Sequence, residues 1–406
     1  MKILHTSDWH LGHVLYKYDR AAEQQDFLNQ LASIVRQEQP DAMVVSGDVY
    51  HTPAPSAATV KMYVEGMLAI HNACPTMTIV VTAGNHDSPS RLESDQSLWQ
   101  AAAGVHVIGT VARNDDGTAC YERNIIAVER EGTTVGYIAA VPYVYSGNFP
   151  AIAEGEEAAD RQSYYFAHLL DAVKRQNAMG LPVVLMAHLA VSGADFTGHD
   201  DLKRERIGTI DTVPLAQLGT GYDYLALGHI HRPQNLSDRA RYCGTPLPVS
   251  FDEQCEHSVT IATIEGGTLP QLRTIPIKDL KPLHTLPASA PVPVDDAIKL
   301  LEQYDDHTQA YIRLNVEVEQ YLPGDAIARA AAATAGKQCC FCTFNVTTTA
   351  RDAQSQGAIS YEEFQRLTPI DIATKYYLQK LGRKMSQEEI DMFNQAFQEV
   401  EKEENA

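Results

Sequence analysis

The stretch Lys2-Ile3-Leu4-His5-Thr6-Ser7-Asp8-Trp9-His10 decides how the chain is read. A short apolar run ends abruptly in polar side chains capable of chemistry. The construction recurs four times. Ala42–Val45 runs into Ser46-Gly47-Asp48, and Thr78–Thr82 into Gly84-Asn85-His86-Asp87. Pro182–Met186 runs into His188, and Tyr222–Leu227 into Gly228-His229-Ile230-His231. Short apolar runs bounded by glycine or polar turns predict buried strands. Between the first two, Ala21–Arg36 sets Phe27, Leu28, Leu31, Ile34 and Val35 at helical spacing, which predicts a crossover helix. Strands alternating with helices imply an α/β fold with a largely parallel sheet. Such sheets build their ligand sites at the carboxyl ends of the strands.

Beyond the repeats the pattern changes. Asn124–Val128 and Thr134–Ala140 flank Arg130-Glu131-Gly132 and predict a β-hairpin, hence a second, more antiparallel sheet. The proline-rich run Ile275–Pro293 reads as a linker or boundary. After it, Val294–Tyr304 reads as helix. Ile312, Leu314, Val316 and Val318 alternate with polar residues as a half-buried strand, Ala326–Ala335 is helical and Gln338–Thr348 strand-like. Tyr361–Ala406 reads as helical, with Ile390, Phe393, Phe397 and Val400 forming one apolar stripe. The expected organisation is a main domain over residues 1–275, a small α/β domain over 276–350 and a C-terminal helical segment over 351–406.

The length of 406 residues exceeds what one hydrophobic core usually serves, which agrees with several domains. With 44% hydrophobic and 21% charged residues, wholesale disorder, collagen and coiled-coil readings are excluded. No apolar run approaches the ~20 residues that span a bilayer, and the N-terminus offers no signal-peptide core. The seven cysteines lack disulfide-framework spacing. Cys339, Cys340 and Cys342 resemble a soft-metal cluster, but neighbours in a strand face opposite ways, so free thiols are expected. A cytoplasmic protein in reducing surroundings is the expectation. The net charge of −20 argues against a chain that grips nucleic acid by overall charge.

Two carboxylates, one amide and four imidazoles would converge if the strands lie side by side: Asp8, His10, Asp48, Asn85, His188, His229 and His231. Mixed oxygen and nitrogen donors suit hard or borderline divalent cations, manganese first, with magnesium, iron or zinc as alternatives. Asp-x-His and His-x-His put both side chains on one face of an extended segment. Seven ligands are too many for one ion that must also hold water and substrate, so two ions are expected, with Asp48 able to bridge them. A paired-metal site suits a phosphate ester. His86 is the expected proton donor to the leaving oxygen, with Asp87 orienting it. Taken singly, Asp8 could be a helix cap, Gly47-Asp48 an ordinary turn and His188 a satisfied core histidine. All five clusters in this order make the signal specific.

The pattern DxH…GD…GNHD…H…GHxH resembles the calcineurin-like metallophosphoesterase superfamily. The resemblance implies a two-layer β-sandwich flanked by helices, with a dinuclear site at the sheet edge. Carried over, Asp8, His10, Asp48 and His231 would hold one ion, Asp48, Asn85, His188 and His229 the other, and His86 would be the non-ligating catalytic histidine. Met1–Gly12, Gly208–Asp211 and Tyr242–Glu253 are similar to segments of the superfamily's bacterial repair-nuclease branch. That likeness runs to about residue 255 and continues more faintly through the small domain, which matches the branch's DNA-capping domain in position. Thr368–Val400 resembles the segment by which that branch docks on an ABC-type ATPase partner. The implied activity is a manganese-dependent DNA exonuclease and hairpin or single-strand endonuclease, assembled as a homodimer with the ATPase. Gly47-Asp48-Val49-Tyr50-His51-Thr52 and the closing Asp87 depart from the Ser/Thr phosphatase pattern. His51 receives no metal role.

A small-molecule phosphoesterase acting on nucleotides or cyclic nucleotides is the alternative within enzymes, and a non-catalytic assembly subunit the alternative outside them. Gln387–Ala406 carries seven acids against one base, part of the negative excess. The remainder still lacks the many phosphate contacts of a free-standing DNA binder. The charge therefore predicts a chain that cuts while a partner shares the grip.

Overall fold

The strand Ala42–Ser46 is buried at all of its residues, which requires cover on both faces. In the computed structural model that cover is a second sheet on one side and helices on the other. Met43 and Val45 join Leu4, Ile79, Val81 and the helical residues Phe27, Leu28, Leu31, Met67 and Ile70. Ala42 and Val44 face the other way, against Val184, Met186, Tyr224 and Ala226 of the second sheet. An unbroken apolar run is what a doubly covered strand needs. The structure describes residues 1–153, 155, 160–197 and 212–349, together with 374, 385, 386, 389, 390, 392 and 393.

Each sheet has six strands. In the first, Lys2–Thr6, Ala42–Ser46, Thr78–Thr82 and Val105–Ile108 run parallel. Ser258–Thr263 and Gln271–Pro276 complete it antiparallel beyond Lys2–Thr6. Helices Ala21–Glu38 and Ala57–Ala73 connect the first three strands; the second is capped by Ser56, whose side chain accepts from the Thr59 amide. In the second sheet, Thr133–Ala140, Val183–His188, Tyr224–Gly228 and Ala240–Tyr242 run parallel. The hairpin of Ile125–Arg130 with Thr133–Ala140 forms as expected, turning through Glu131 and Gly132 at positive φ. The sheet is nevertheless less antiparallel than the hairpin suggested. Its inner strands arrive by crossovers such as the helix Arg161–Gln176, and only the outer pairs are antiparallel. The architecture is the expected two-layer β-sandwich flanked by helices.

The proline-rich run is not simply a linker. Leu283–Leu286 and Val292–Pro293 within it pair parallel with Tyr311–Val318, whose other edge takes Cys340–Thr348. Helices Val294–Glu302 and Ala326–Ala333 cover this small sheet, around Ile298, Leu301, Ile312, Leu314 and Ala330. The alternate residues of this strand do not face solvent as the pattern suggests: Tyr311 and Asn315 are buried, and Arg313 and Glu317 half-buried. Tyr311 packs with Leu15 and Phe251 of the sandwich, and its hydroxyl donates to Glu23 at 2.8 Å.

Met1–Thr347 forms one compact unit, and the chain from Thr348 a second. The expected C-terminal helices and the Phe397 and Val400 end of their stripe lie outside the described residues, as does Gly208–Asp211. The cysteines are free thiols, with Cys339 buried and Cys340 and Cys342 half-buried. Among the described residues no helix is long and apolar enough to cross a membrane.

Phe27 lies fully buried, edge-on to Trp9 at 5.6 Å, and Trp9 separates Asp8 from His10. Phe27→Ala is expected to destabilise the fold by about 3–5 kcal/mol, the usual cost of an aromatic cavity. Urea unfolding followed by tryptophan fluorescence measures it; an unchanged midpoint would show that this packing does not support the Asp8–His10 loop.

Candidate metal centre

Strand ends Thr6, Ser46, Thr82, His188 and Gly228 bring the five polar clusters to one edge of the sandwich. The first two loops hold each other beyond their strands. The Asp8 amide donates to the Gly47 carbonyl at 3.0 Å, the His10 amide to Asp48 at 3.0 Å and the Leu11 amide to Val49 at 2.9 Å. Strand pairing thus continues into the site and fixes its spacing. Asp8, His10, Asp48 and His229 all sit at positive φ, 53°, 46°, 51° and 97°. Such conformations cost about 1 kcal/mol or more in non-glycine residues and concentrate where function over-determines them. Gly47 and Gly84 are required by space: a Cβ on Gly47 would lie 2.1 Å from His188 Nδ1, and one on Gly84 2.0 Å from Asp48 Oδ1.

All seven expected ligand residues are brought together. His10 Nε2 and His231 Nε2 face each other at 3.2 Å. Asn85 Oδ1 stands 3.0 Å from His188 Nε2 and 3.0 Å from His229 Nδ1. Asp48 Oδ2 lies between the groups, 3.4 Å from His188 Nε2 and 3.8 Å from His10 Nε2. Asp8, His10 and His231 present donor atoms within 4.8 Å of one another, as do Asp8, Asp48 and His188. The His229 amide donates to Asp8 Oδ1 at 3.0 Å, tying the two sheets' loops together. His10 Nδ1 is buried with no hydrogen-bond partner. Two facing imidazole nitrogens, two buried carboxylates and no thiolate among them fit divalent cations.

The electrostatics follow from burial and pairing. Burial lowers His10 well below the ordinary histidine range, against the pull of Asp48, and takes His229 down to about 3, helped by the charge of His188. Burial also acts to lower His188 and His231, yet both end raised to about 9, by Asp48 and Glu253 respectively. Desolvation raises Asp8, opposed by His188 and His231. It would raise Asp48 too, but His188 and His10 hold that carboxylate well below its usual range. Imidazoles and carboxylates thus compensate one another where water cannot.

His86 lies beside this cluster, with its ring 4.9 Å from that of His10. The orienting contact expected from Asp87 is not what holds it. His86 Nδ1 donates to the His51 carbonyl at 3.0 Å, and the His86 amide to Asp48 Oδ1 at 2.9 Å. Asp87 is turned inward and accepts from the Val49, Tyr50 and Gly84 amides at 3.1, 2.9 and 2.9 Å. It pins the Asp48 loop to the Asn85 loop. An acid beside a histidine in sequence cannot reveal that loop amides outcompete the neighbour; burial raises Asp87 to about 7.

Other groups lie beyond what the sequence reasoning reached. Glu253 Oε1 lies 3.1 Å from His231 Nδ1, and its Oε2 accepts from Thr245 Oγ1 at 2.9 Å. His188 Nδ1 donates to the Ser46 carbonyl at 2.7 Å. Such partners fix which nitrogen a ligating histidine presents. Tyr143 lies over His229 with ring centroids 6.3 Å apart. His51 stacks on His86 at 5.6 Å and offers a donor atom to a third group with His10 and His86. Glu253 closes the stretch Tyr242–Glu253, whose likeness to the nuclease branch is the signal that could have found it.

The calcineurin-like phosphoesterase family matches residues 1–233. The SbcD component of the nuclease SbcCD of Rhodobacter capsulatus is 34% identical over 311 residues, 75% of this chain and 76% of that protein. The same-named proteins of Escherichia coli K12 and Bacillus subtilis are 30% identical over 337 residues (79% of each chain) and 32% over 300 residues (70% and 71%). A crystal structure of a dimetal phosphatase from Danio rerio aligns with 68% of this chain and 99% of that one, at 14% identity and a TM-score of 0.37.

Asp87→Asn separates the loop-pinning role from an orienting one. An amide NH2 would face one of the three amides now donating to the carboxylate, so a loss of about 1–3 kcal/mol in stability is expected. Thermal unfolding of the variant measures it. A variant as stable as the wild-type chain would count against the pinning role.

Proposed function

The chain belongs to the calcineurin-like phosphoesterase family and, within it, with the SbcD nucleases, and we propose that it is the manganese-dependent DNA nuclease subunit of a complex with an SbcC-like ABC-type ATPase. The observation that carries the reading is the meeting of seven donor side chains at one sandwich edge, with Asp48 between two groups of them. Asp8, His10, Asp48 and His231 would hold one ion and Asp48, Asn85, His188 and His229 the other. When bound, two divalent ions neutralise the scissile phosphate and acidify the attacking water.

The chain's own residues do the remainder. Glu253 and the Ser46 carbonyl keep His231 and His188 in the tautomer that presents Nε2. His86, with its Nδ1–H engaged by the His51 carbonyl, would act through Nε2 as the doubly protonated imidazolium, donating that proton to the leaving alkoxide or stabilising its charge. Asp87 holds the loops that carry Asp48 and Asn85 rather than taking part in proton transfer.

In this reading the substrate is DNA, cut as an exonuclease on duplex ends and as an endonuclease on hairpins or single strands, in repair and recombination. Residues 276–350 cap the DNA and 351–406 bind the ATPase, in a homodimer within a heterotetramer. The acidic balance supports a shared grip, since this chain alone offers duplex phosphates little counter-charge.

The test compares a labelled hairpin DNA, bis-p-nitrophenyl phosphate and cyclic AMP, in Mn(II), with and without the ATPase. Hairpin cleavage is expected, and cyclic AMP as the preferred substrate would favour the small-molecule alternative instead. His86→Ala should keep its metal and lose on the order of 100-fold or more in cleavage; Asp48→Ala should lose both. Unimpaired cleavage by His86→Ala would remove His86 from the mechanism. Deleting residues 368–406 should abolish co-purification with the ATPase while sparing hydrolysis of bis-p-nitrophenyl phosphate.

A further inference from the structure

The small sheet reaches the metal centre through a three-residue segment. Arg313, on the central strand Tyr311–Val318, turns its guanidinium toward the sandwich. It donates to Asp252 Oδ1 at 2.6 Å and to the Phe251 carbonyl at 3.3 Å, and lies 5.2 Å from the centre of the Phe251 ring. Its Nε donates to Thr285 Oγ1 at 3.1 Å, which ties it to the neighbouring strand of its own sheet. The next residue after Asp252 is Glu253, the partner of His231 Nδ1. The turn is tight: the Glu253 amide donates to the Ser250 carbonyl at 3.3 Å and the Gln254 amide to Asp252 at 3.0 Å. A shift of residues 251–252 is therefore passed to Glu253 rather than absorbed.

Apolar packing between the small sheet and the sandwich is local, at Tyr311, Leu15 and Phe251. Beside the clamp, a cleft of about 840 Å³ separates the small sheet from the sandwich, with Glu253, His257, Leu283, Arg313 and Asn345 in its walls. The Arg313 side chain, only 11% exposed, crosses at its margin. A half-buried, two-pronged arginine contact holds geometry where an apolar seam would let the sheet slide.

We propose that Arg313 is a positioning residue for the metal centre, setting the orientation of His231 through Phe251, Asp252 and Glu253, so that the placement of the small sheet tunes the affinity of the ion that His231 helps to hold. This rests on the two-ion reading above. It assigns to the small sheet an effect on the metal centre distinct from any contact with DNA.

The test is Mn(II) binding to the full-length chain, followed by electron paramagnetic resonance of free Mn(II), for wild type, Arg313→Ala, Asp252→Asn and Tyr311→Phe. Tyr311→Phe removes another anchor of the same sheet, the hydroxyl's hydrogen bond to Glu23, and keeps the ring that packs on Phe251. In Arg313→Ala and Asp252→Asn one of two sites should weaken on the order of 10-fold, the lower end for partners outside the ligand set. Tyr311→Phe should bind as wild type, and Arg313→Lys should recover part of the loss. Unchanged Mn(II) affinity in both Arg313→Ala and Asp252→Asn, or an equal loss in Tyr311→Phe, overturns the proposal. A wild-type chain that binds no Mn(II) overturns the two-ion reading itself, and this inference with it.

Discussion

Burying Asp8 and Asp48 among imidazoles at the sandwich edge is the constraint on which the rest of the structure depends. Each carboxylate loses hydration that only a nearby positive group or a fixed hydrogen-bond donor can replace. His188 and His10 hold Asp48 ionised, and the His229 amide reaches Asp8. Such contacts weaken steeply when a loop shifts. The fold therefore commits strand pairing, three amides on Asp87 and two glycines without room for a methyl group to keeping the loops in place.

The sandwich serves this constraint directly. Parallel strands bring their carboxyl ends to the same edge, and two stacked sheets double the number of ends available. Helix cover outside and sheet-on-sheet cover inside leave the strands free to be apolar throughout, so their polar chemistry is confined to the residues just past their ends. Left-handed backbone at Asp8, His10, Asp48 and His229 turns those residues sharply out of the strand direction and into the cluster. The small sheet meets the same region from the other side, through Arg313 and the residues that precede Glu253.

Much of this was legible in the sequence because the signals are local. Apolar runs ending in Asp-x-His, Gly-Asp, Gly-Asn-His-Asp and Gly-His-x-His carry both the strand and its ligand within a short span. The hairpin at Arg130-Glu131-Gly132 and the alternating strand at Ile312–Val318 are local in the same sense. What was not legible involves a choice among partners. Asp87 has His86 beside it in sequence, but three loop amides lie within its reach and a buried carboxylate takes the partners that satisfy more of its lone pairs. The second sheet's strand directions depend on crossovers rather than on any strand's own pattern. The proline-rich run contributes strands because Tyr311–Val318 offers edges that local composition does not reveal.

By itself, the sequence determined the α/β class, the strand ends as the place of the chemistry and the seven residues that meet there, because each follows from a period or a spacing; the two-layer sandwich was implied by the family resemblance. Only the tertiary structure decided that Glu253 faces His231, that the His51 carbonyl rather than Asp87 holds His86, and that Arg313 grips the segment leading to Glu253. Those residues lie far apart along the chain or compete for the same partner. Their contacts exist only once the chain has closed, because hydrogen bonds act over about 3 Å of space and carry no trace along the chain.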